Sequence, residues 1–172
     1  MTIFLDMDGV IADFFGAFAK KNNVSHWKSI KQKEKALADL VGTDWFNQLP
    51  TFKDGDTDLS QLIINHVNDI TDGDWGICSS PLRGDHNNSA YWKRVWLQDH
   101  DFMPEVERCI FTSNKHKYAV NRLTGKPNIL IDDKIDNIKR WEQAGGIGIR
   151  FQADQDDVVE YLFKEIENVY QS

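Results

Sequence analysis

Short, largely apolar runs recur along the chain, and most of them stop abruptly at polar or acidic residues: residues 2–5 at Asp6, 75–78 at Ser79, 108–111 at Thr112 and 128–131 at Asp132. Residues 147–151 form one more run of this kind. Runs this short, with no polar alternation, suit strands buried on both faces. Between them, residues 88–99, 135–144 and 156–170 carry the spacing of amphipathic helices. Strand and helix in alternation predict an α/β fold: a Rossmann-like parallel sheet of about five strands flanked by helices.

One interval breaks the alternation. Residues 14–72 separate the first two strands by far more chain than a crossover helix needs, and helical patterns fall there at 12–21, 29–41 and 59–70, with a turn-rich junction at 53–58. A small helical cap inserted after the first strand is the economical reading, with residues 1–13 and 73–172 as the catalytic core. A chain of 172 residues supports one such domain rather than two independent ones.

Bulk properties remove several function classes. A hydrophobic fraction of 41% and a charged fraction of 27% are those of an ordinary folded domain. The formal charge of -7 disfavours a surface that neutralises a nucleic-acid backbone. A small anionic substrate would need a local positive site. Cys78 and Cys109 lie inside apolar runs with no close partner, the pattern of reduced thiols in a cytoplasmic protein. No apolar stretch reaches the length of a membrane span, and no signal peptide is expected. The histidines lack zinc-ligand spacing. Gly145, Gly146 and Gly148 follow a helix and enter a strand, which fits a helix end rather than a dinucleotide loop. Asp154, Asp156 and Asp157 read as the cap of the last helix.

Ligands of open parallel sheets bind outside the carboxyl ends of the strands. Asp6 and Asp8, Ser79 and Ser80, residues 112–115, and Asp132 and Asp133 all fall at such ends. Any one pair could be a turn or a helix cap. Carboxylates from two separate strands, however, repel unless a cation lies between them, and a hard, oxygen-rich site suits Mg2+.

These residues also carry a family resemblance. Asp6-Met7-Asp8-Gly9-Val10 resembles the first motif of the haloacid dehalogenase superfamily of phosphotransferases, Ser79 the second, a lysine near 115 the third, and Leu130-Ile131-Asp132-Asp133 the fourth, in the same order. Residues 6–14, 45–50, 77–81 and 130–134, continuing to Asn137, Trp141 and 144–146, narrow the resemblance to the 5'(3')-deoxyribonucleotidases over most of residues 1–151. Two departures stand out. Serine replaces the commoner threonine at 79, and the segment 115–127 is longer than the family's.

The resemblance implies a Mg2+-dependent phosphatase of small phosphomonoesters, with nucleoside monophosphates as substrates. Asp6 would be the nucleophile and Asp8 the acid and base. Mg2+ would be held by Asp6, Asp132 and the backbone carbonyl of Asp8, with Asp133 fixing a water on it. Ser79 would bond a phosphate oxygen, and either Lys115 or Lys117 would supply fixed positive charge; Lys115 counts correctly from the strand end. Phe14, Trp45 and Phe46 would enclose the base or simply pack the cap, while Ser80 and Arg83 would meet phosphate or sugar. A phosphatase for another small ester, or a non-catalytic module of the same fold, are the competing readings.

Overall fold

The computed structural model of the chain describes residues 1–170. Gln171 and Ser172, counted within the expected core segment 73–172, lie outside the described residues. In chain order the regular elements are β1 (Ile3–Leu5), α1 (Phe14–Lys21), α2 (Lys33–Ala38), the two-residue strands β2 (Lys53–Asp54) and β3 (Thr57–Asp58), α3 (Leu59–Thr71), β4 (Trp75–Ser79), α4 (His86–Asp99), β5 (Cys109–Phe111), β6 (Ile129–Asp132), α5 (Ile135–Gln143), β7 (Ile147–Arg150) and α6 (Lys164–Tyr170).

The five long-range strands form one sheet in the order β5-β4-β1-β6-β7, parallel throughout. The middle three are buried along their whole length, which explains why their sequences show no polar alternation. Side chains of β1 alternate across the sheet. Ile3 and Leu5 join Ile77, Ile129 and Ile131 in the main core on one face, while Phe4 joins Cys78, Leu130, Ile138 and Trp141 on the other. Each fully buried side chain of this size contributes about 1.5–3 kcal/mol relative to exposure.

The glycine pair at 145–146 has the packing role its position implies. Gly145 ends α5 at φ +91°, and a Cβ on Gly146 would fall 2.2 Å from Trp141 Nε1. That indole nitrogen donates to Asn128 O at 3.0 Å, so the last turn of α5 is pinned against the edge of β6.

Between β1 and β4 the expected helix at 29–41 is present only in part. A 3-10 turn at Trp27–Ser29 and the short α2 replace it. Ile30 is extended and Gln32 provides no side-chain cap, so the helix starts only at Lys33 and ends at Asp39. A second 3-10 turn, Trp45–Gln48, docks on α4, where the fully buried Trp96 donates its Nε1 hydrogen to Leu49 O at 2.7 Å. The last helix begins as a π-helical stretch, Val158–Phe163, capped by Asp157, which accepts from the amides of Val159 and Glu160. α3 packs against β4, against β2 and against this π-helical stretch, so it touches both the sheet and the inserted segment 14–72.

Candidate active site

Strand order reverses at β1: β4 and β5 lie to one side, β6 and β7 to the other. The crevice outside the carboxyl ends of β1 and β6 is therefore the switch point where an open α/β sheet accepts a ligand. Asp6 leaves β1 there, its amide still paired to Ile131 O at 2.9 Å, and Asp132 ends β6 beside it. The chain then turns tightly. Met7 O accepts from the amides of Val10, Ile11 and Ala12. The turn needs Gly9 at φ +83°, and a Cβ there would stand 3.0 Å from the Asp133 carboxyl carbon and 3.1 Å from Phe15.

Lys115 joins the two strand ends. It is 3% exposed, and its Nζ lies 3.0 Å from Asp6 Oδ2 and 2.6 Å from Asp132 Oδ2. Burial alone would lower its pKa, but Asp6 and Asp132 together outweigh burial and hold the ammonium above its ordinary range. Lys117, two residues on, is exposed. Asp132 is held further by the Lys134 amide at 2.9 Å and by Asn137 Nδ2 at 3.1 and 3.0 Å from its two oxygens. Asp6 Oδ1 accepts from the Met7 amide at 2.8 Å.

A second buried lysine sits on the other side of the site. Lys93, from α4, is wholly buried and donates to Asp8 Oδ2 at 2.7 Å, Ser79 Oγ at 2.9 Å and Ser80 O at 2.9 Å. Asp8 Oδ1 is buried with no hydrogen-bond partner. Burial raises the pKa of Asp8, Asp132 and Asp133, and the charge of Asp6 pushes each the same way; for Asp8, Lys93 opposes the rise. Asp133, with Asp132 and Asp8 also nearby, is pushed up to about 8.

These carboxylates open on a cleft of about 490 Å³ lined by Asp6, Asp8, Ser80, Asp133, Lys134, Asn137, Arg150 and the apolar side chains of Phe15, Trp27 and Ile135. A larger groove of about 890 Å³ lies elsewhere, between residues 51–62 and 153–160, but six carboxylates and a single lysine line it, which disfavours an anion.

Several residues singled out in the sequence fall outside the cleft. Phe14 is the first residue of α1, on the face shared with Phe18 and Ala19, and it stacks on Phe18 and Phe46 inside the cap. Trp45 meets Phe14 edge-on and borders a separate groove with Lys20, Lys21 and Pro50. The aromatics at the cleft are instead Phe15, one residue and about 100° further round the helix, and Trp27, whose rings lie 5.0 Å apart. Arg83 is exposed and absent from the cleft lining, whereas Arg150 at the end of β7 is part of it and also bonds Gln152. Ser79 is fully buried with its oxygen taken by Lys93, and Ser80 is the serine that reaches the cleft. Both cysteines are buried free thiols, pushed up by burial to about 12 for Cys78 and about 11 for Cys109.

Lys93, Phe15, Trp27 and Arg150 were not legible as site residues. For Lys93 a signal did exist. The buried positions of α4 are 89, 90, 93, 96 and 97, so a lysine interrupts an otherwise small or apolar stripe.

The donor set fits a hard divalent cation. Asp6, Asp132 and Asp133 each present a carboxylate oxygen within 4.8 Å of the others, and no histidine or cysteine joins them. Among the described residues no helix is long and apolar enough to cross a membrane.

No family model matches the chain, and no curated protein matches it. Among solved structures it is similar to the crystal structure of a hydrolase from Pseudomonas syringae, with a TM-score of 0.50 and 10% identity over 92% of this chain and 87% of that one. At that identity the likeness speaks for the fold alone.

Proposed function

We propose that the chain is a Mg2+-dependent phosphomonoesterase in which Asp6 attacks phosphorus, and that its substrates are (deoxy)ribonucleoside monophosphates. One observation carries the reading: Asp6 and Asp132 are clamped by Lys115 at the switch point, beside Asp133 and an Asp8 whose Oδ1 has no partner.

A carboxylate oxygen of Asp6 forms a bond to phosphorus as the ester P–O bond breaks, leaving an aspartyl phosphate. Asp8, two residues along the turn, gives a proton to the departing oxygen. It then takes one from the water that adds to phosphorus and frees Asp6. Lys115 keeps a fixed positive charge beside the nucleophile, so attack on an anion is not opposed by an uncompensated carboxylate. Asp6, Asp132 and Asp133, with the backbone carbonyl of Asp8, would hold Mg2+, which supplies neutralising charge for the phosphoryl oxygens. Ser80 and the cations Lys134 and Arg150 line the cleft and would bind the phosphoryl group or the sugar.

Phe15, Trp27 and Ile135 give the cleft an apolar wall on which a flat base can lie, and this supports a nucleotide over a smaller ester. Phosphate release from nucleotides and sugar phosphates, with Mg2+ and with excess chelator, tests the proposal. Mg2+-dependent release that favours nucleotides is the expected result. Faster release from sugar phosphates would move the substrate class, and turnover undiminished by chelator would overturn the metal's role. Absence of release from every ester would leave a binding module.

A further inference from the structure

We propose that the cleft takes a nucleoside phosphomonoester carrying a second phosphate, and that Lys28 and Lys33 of the cap bind that second group. This deepens the substrate class of the same site and rests on the phosphatase reading above.

The net charge of -7 is unevenly spread along the chain. Residues 20–35 of the cap carry six lysines against one carboxylate, Glu34. Like charges set this close repel one another and weaken the fold unless an anion answers them. Two of the six stand at the cleft. The Nζ atoms of Lys28 and Lys33 lie 5.9 and 5.0 Å from the ring of Trp27, which lines the cleft wall beside Phe15. Apart from that ring, neither ammonium has an ion pair or a hydrogen bond among the described residues. A cation held by an aromatic face keeps its N–H groups, and these remain available to an anion.

The reacting phosphoryl group has cations of its own. Lys115 stands 3.0 Å from Asp6, and Lys134 and Arg150 line the cleft from the β6 and β7 side, Arg150 being the register partner of Asp132. Lys28 and Lys33 belong instead to the cap, at the aromatic wall. A nucleoside whose base lies on that wall, and whose reacting phosphate meets Asp6, has another sugar hydroxyl from which a second phosphate can extend. That group is a monoester in a nucleoside 3',5'-bisphosphate and a diester where a further nucleotide is joined. Either form offers anionic oxygens to an ammonium, in a contact stronger than one between neutral groups. Because both lysines lie near solvent, the contact is screened by salt.

Phosphate release in Mg2+ at low ionic strength is compared for a nucleoside 5'-monophosphate, its 3',5'-bisphosphate and a 5'-phosphorylated dinucleotide. Glucose 6-phosphate and glucose 1,6-bisphosphate add charge in the same way without a base. At least one doubly phosphorylated nucleoside is expected to exceed the monophosphate in kcat/KM by about tenfold, the scale of one charge-assisted contact, through a lower KM at similar kcat. Whichever gains more identifies the second group as monoester or diester. Lys28→Gln/Lys33→Gln is expected to erase the gain with a loss under about threefold on the monophosphate, and Lys28→Arg/Lys33→Arg to retain it.

Equal kcat/KM for singly and doubly phosphorylated nucleosides would overturn the proposal. So would an equal gain in the sugar pair, which would mean attraction by overall charge, and so would a Gln variant that keeps the gain or loses every substrate alike. Should the Gln variant not fold, the salt dependence of the wild-type protein decides. The gain is expected to vanish as ionic strength rises, and a gain that salt leaves unmoved would contradict a contact with exposed lysines. A wild-type protein inert toward all of these esters would overturn the phosphatase reading itself, whereas release from the monophosphate without any gain would overturn the second-phosphate site alone.

Discussion

The two lysines nearest the third strand end differ by little in sequence and by much in position. Lys115 is 3% exposed between two carboxylates, and Lys117 is exposed. Lys115→Ala is expected to lower kcat/KM by about two to three orders of magnitude, the scale for losing one preorganised charge, while Lys117→Ala stays near wild type. Steady-state kinetics on the two folded variants decide it, and the reverse ranking would contradict the geometry. Asp6→Asn is expected to fold and to be inactive, since an amide cannot act as this nucleophile. Wild-type turnover in that variant would remove Asp6 from its role. The carboxylates of this site were legible because each stands where an apolar run ends, a position that chain order alone reveals. Lys93 and Arg150 were not. They reach the site across α4 and β7, and such long-range contacts leave no local trace beyond an out-of-place charge on a buried stripe.

At the scale of elements, α1 shows how narrow the margin of sequence reading is. Phe14 and Phe15 are adjacent, and an apolar pair at the start of a helix does not disclose which member faces the cap and which the cleft. The structure turns Phe14 inward, against Phe18 and Phe46, and leaves Phe15 over Gly9 beside Trp27. Trp27→Ala is therefore expected to reduce kcat/KM for a nucleotide about tenfold more than for a small phosphoester, on the scale of one lost aromatic contact. Phe14→Ala should instead lower stability by about 3–5 kcal/mol, the usual cost of emptying a buried aromatic site, and affect both substrates alike. Paired kinetics and thermal melts separate the two, and a substrate-selective loss at Phe14 would reverse the assignment. The parallel sheet was readable because buried strands and amphipathic helices alternate with different periods. The helix expected at 29–41 formed only over Lys33–Ala38, because extended backbone at Ile30 and an uncapped start cut it short.

For the whole molecule, the central fact is that an acidic chain of net charge -7 concentrates four carboxylates, Asp6, Asp8, Asp132 and Asp133, against two buried lysines at the carboxyl end of its sheet. Burial, and then Asp6, hold Asp133 near about 8 in the metal-free protein, against an ordinary 3.8 in the unfolded chain. Between those values the native state keeps a proton that the unfolded state has released, so metal-free stability falls as pH rises through that window. Asp132 is shifted in the same direction. Mg2+ bound by these carboxylates would take the proton's place, and its stabilising effect is expected to grow from about pH 5 to about pH 8. Thermal melts in chelator and in Mg2+ check this; a metal-free melting temperature that rises across the window would contradict it. The claim beneath all of these is that Asp6 carries the phosphoryl group during turnover, and the configuration at phosphorus tests it most directly. Hydrolysis of an isotopically chiral phosphate ester through an aspartyl phosphate involves two displacements and is expected to retain configuration. Inversion would mean that water attacks the substrate itself and that Asp6 never becomes phosphorylated.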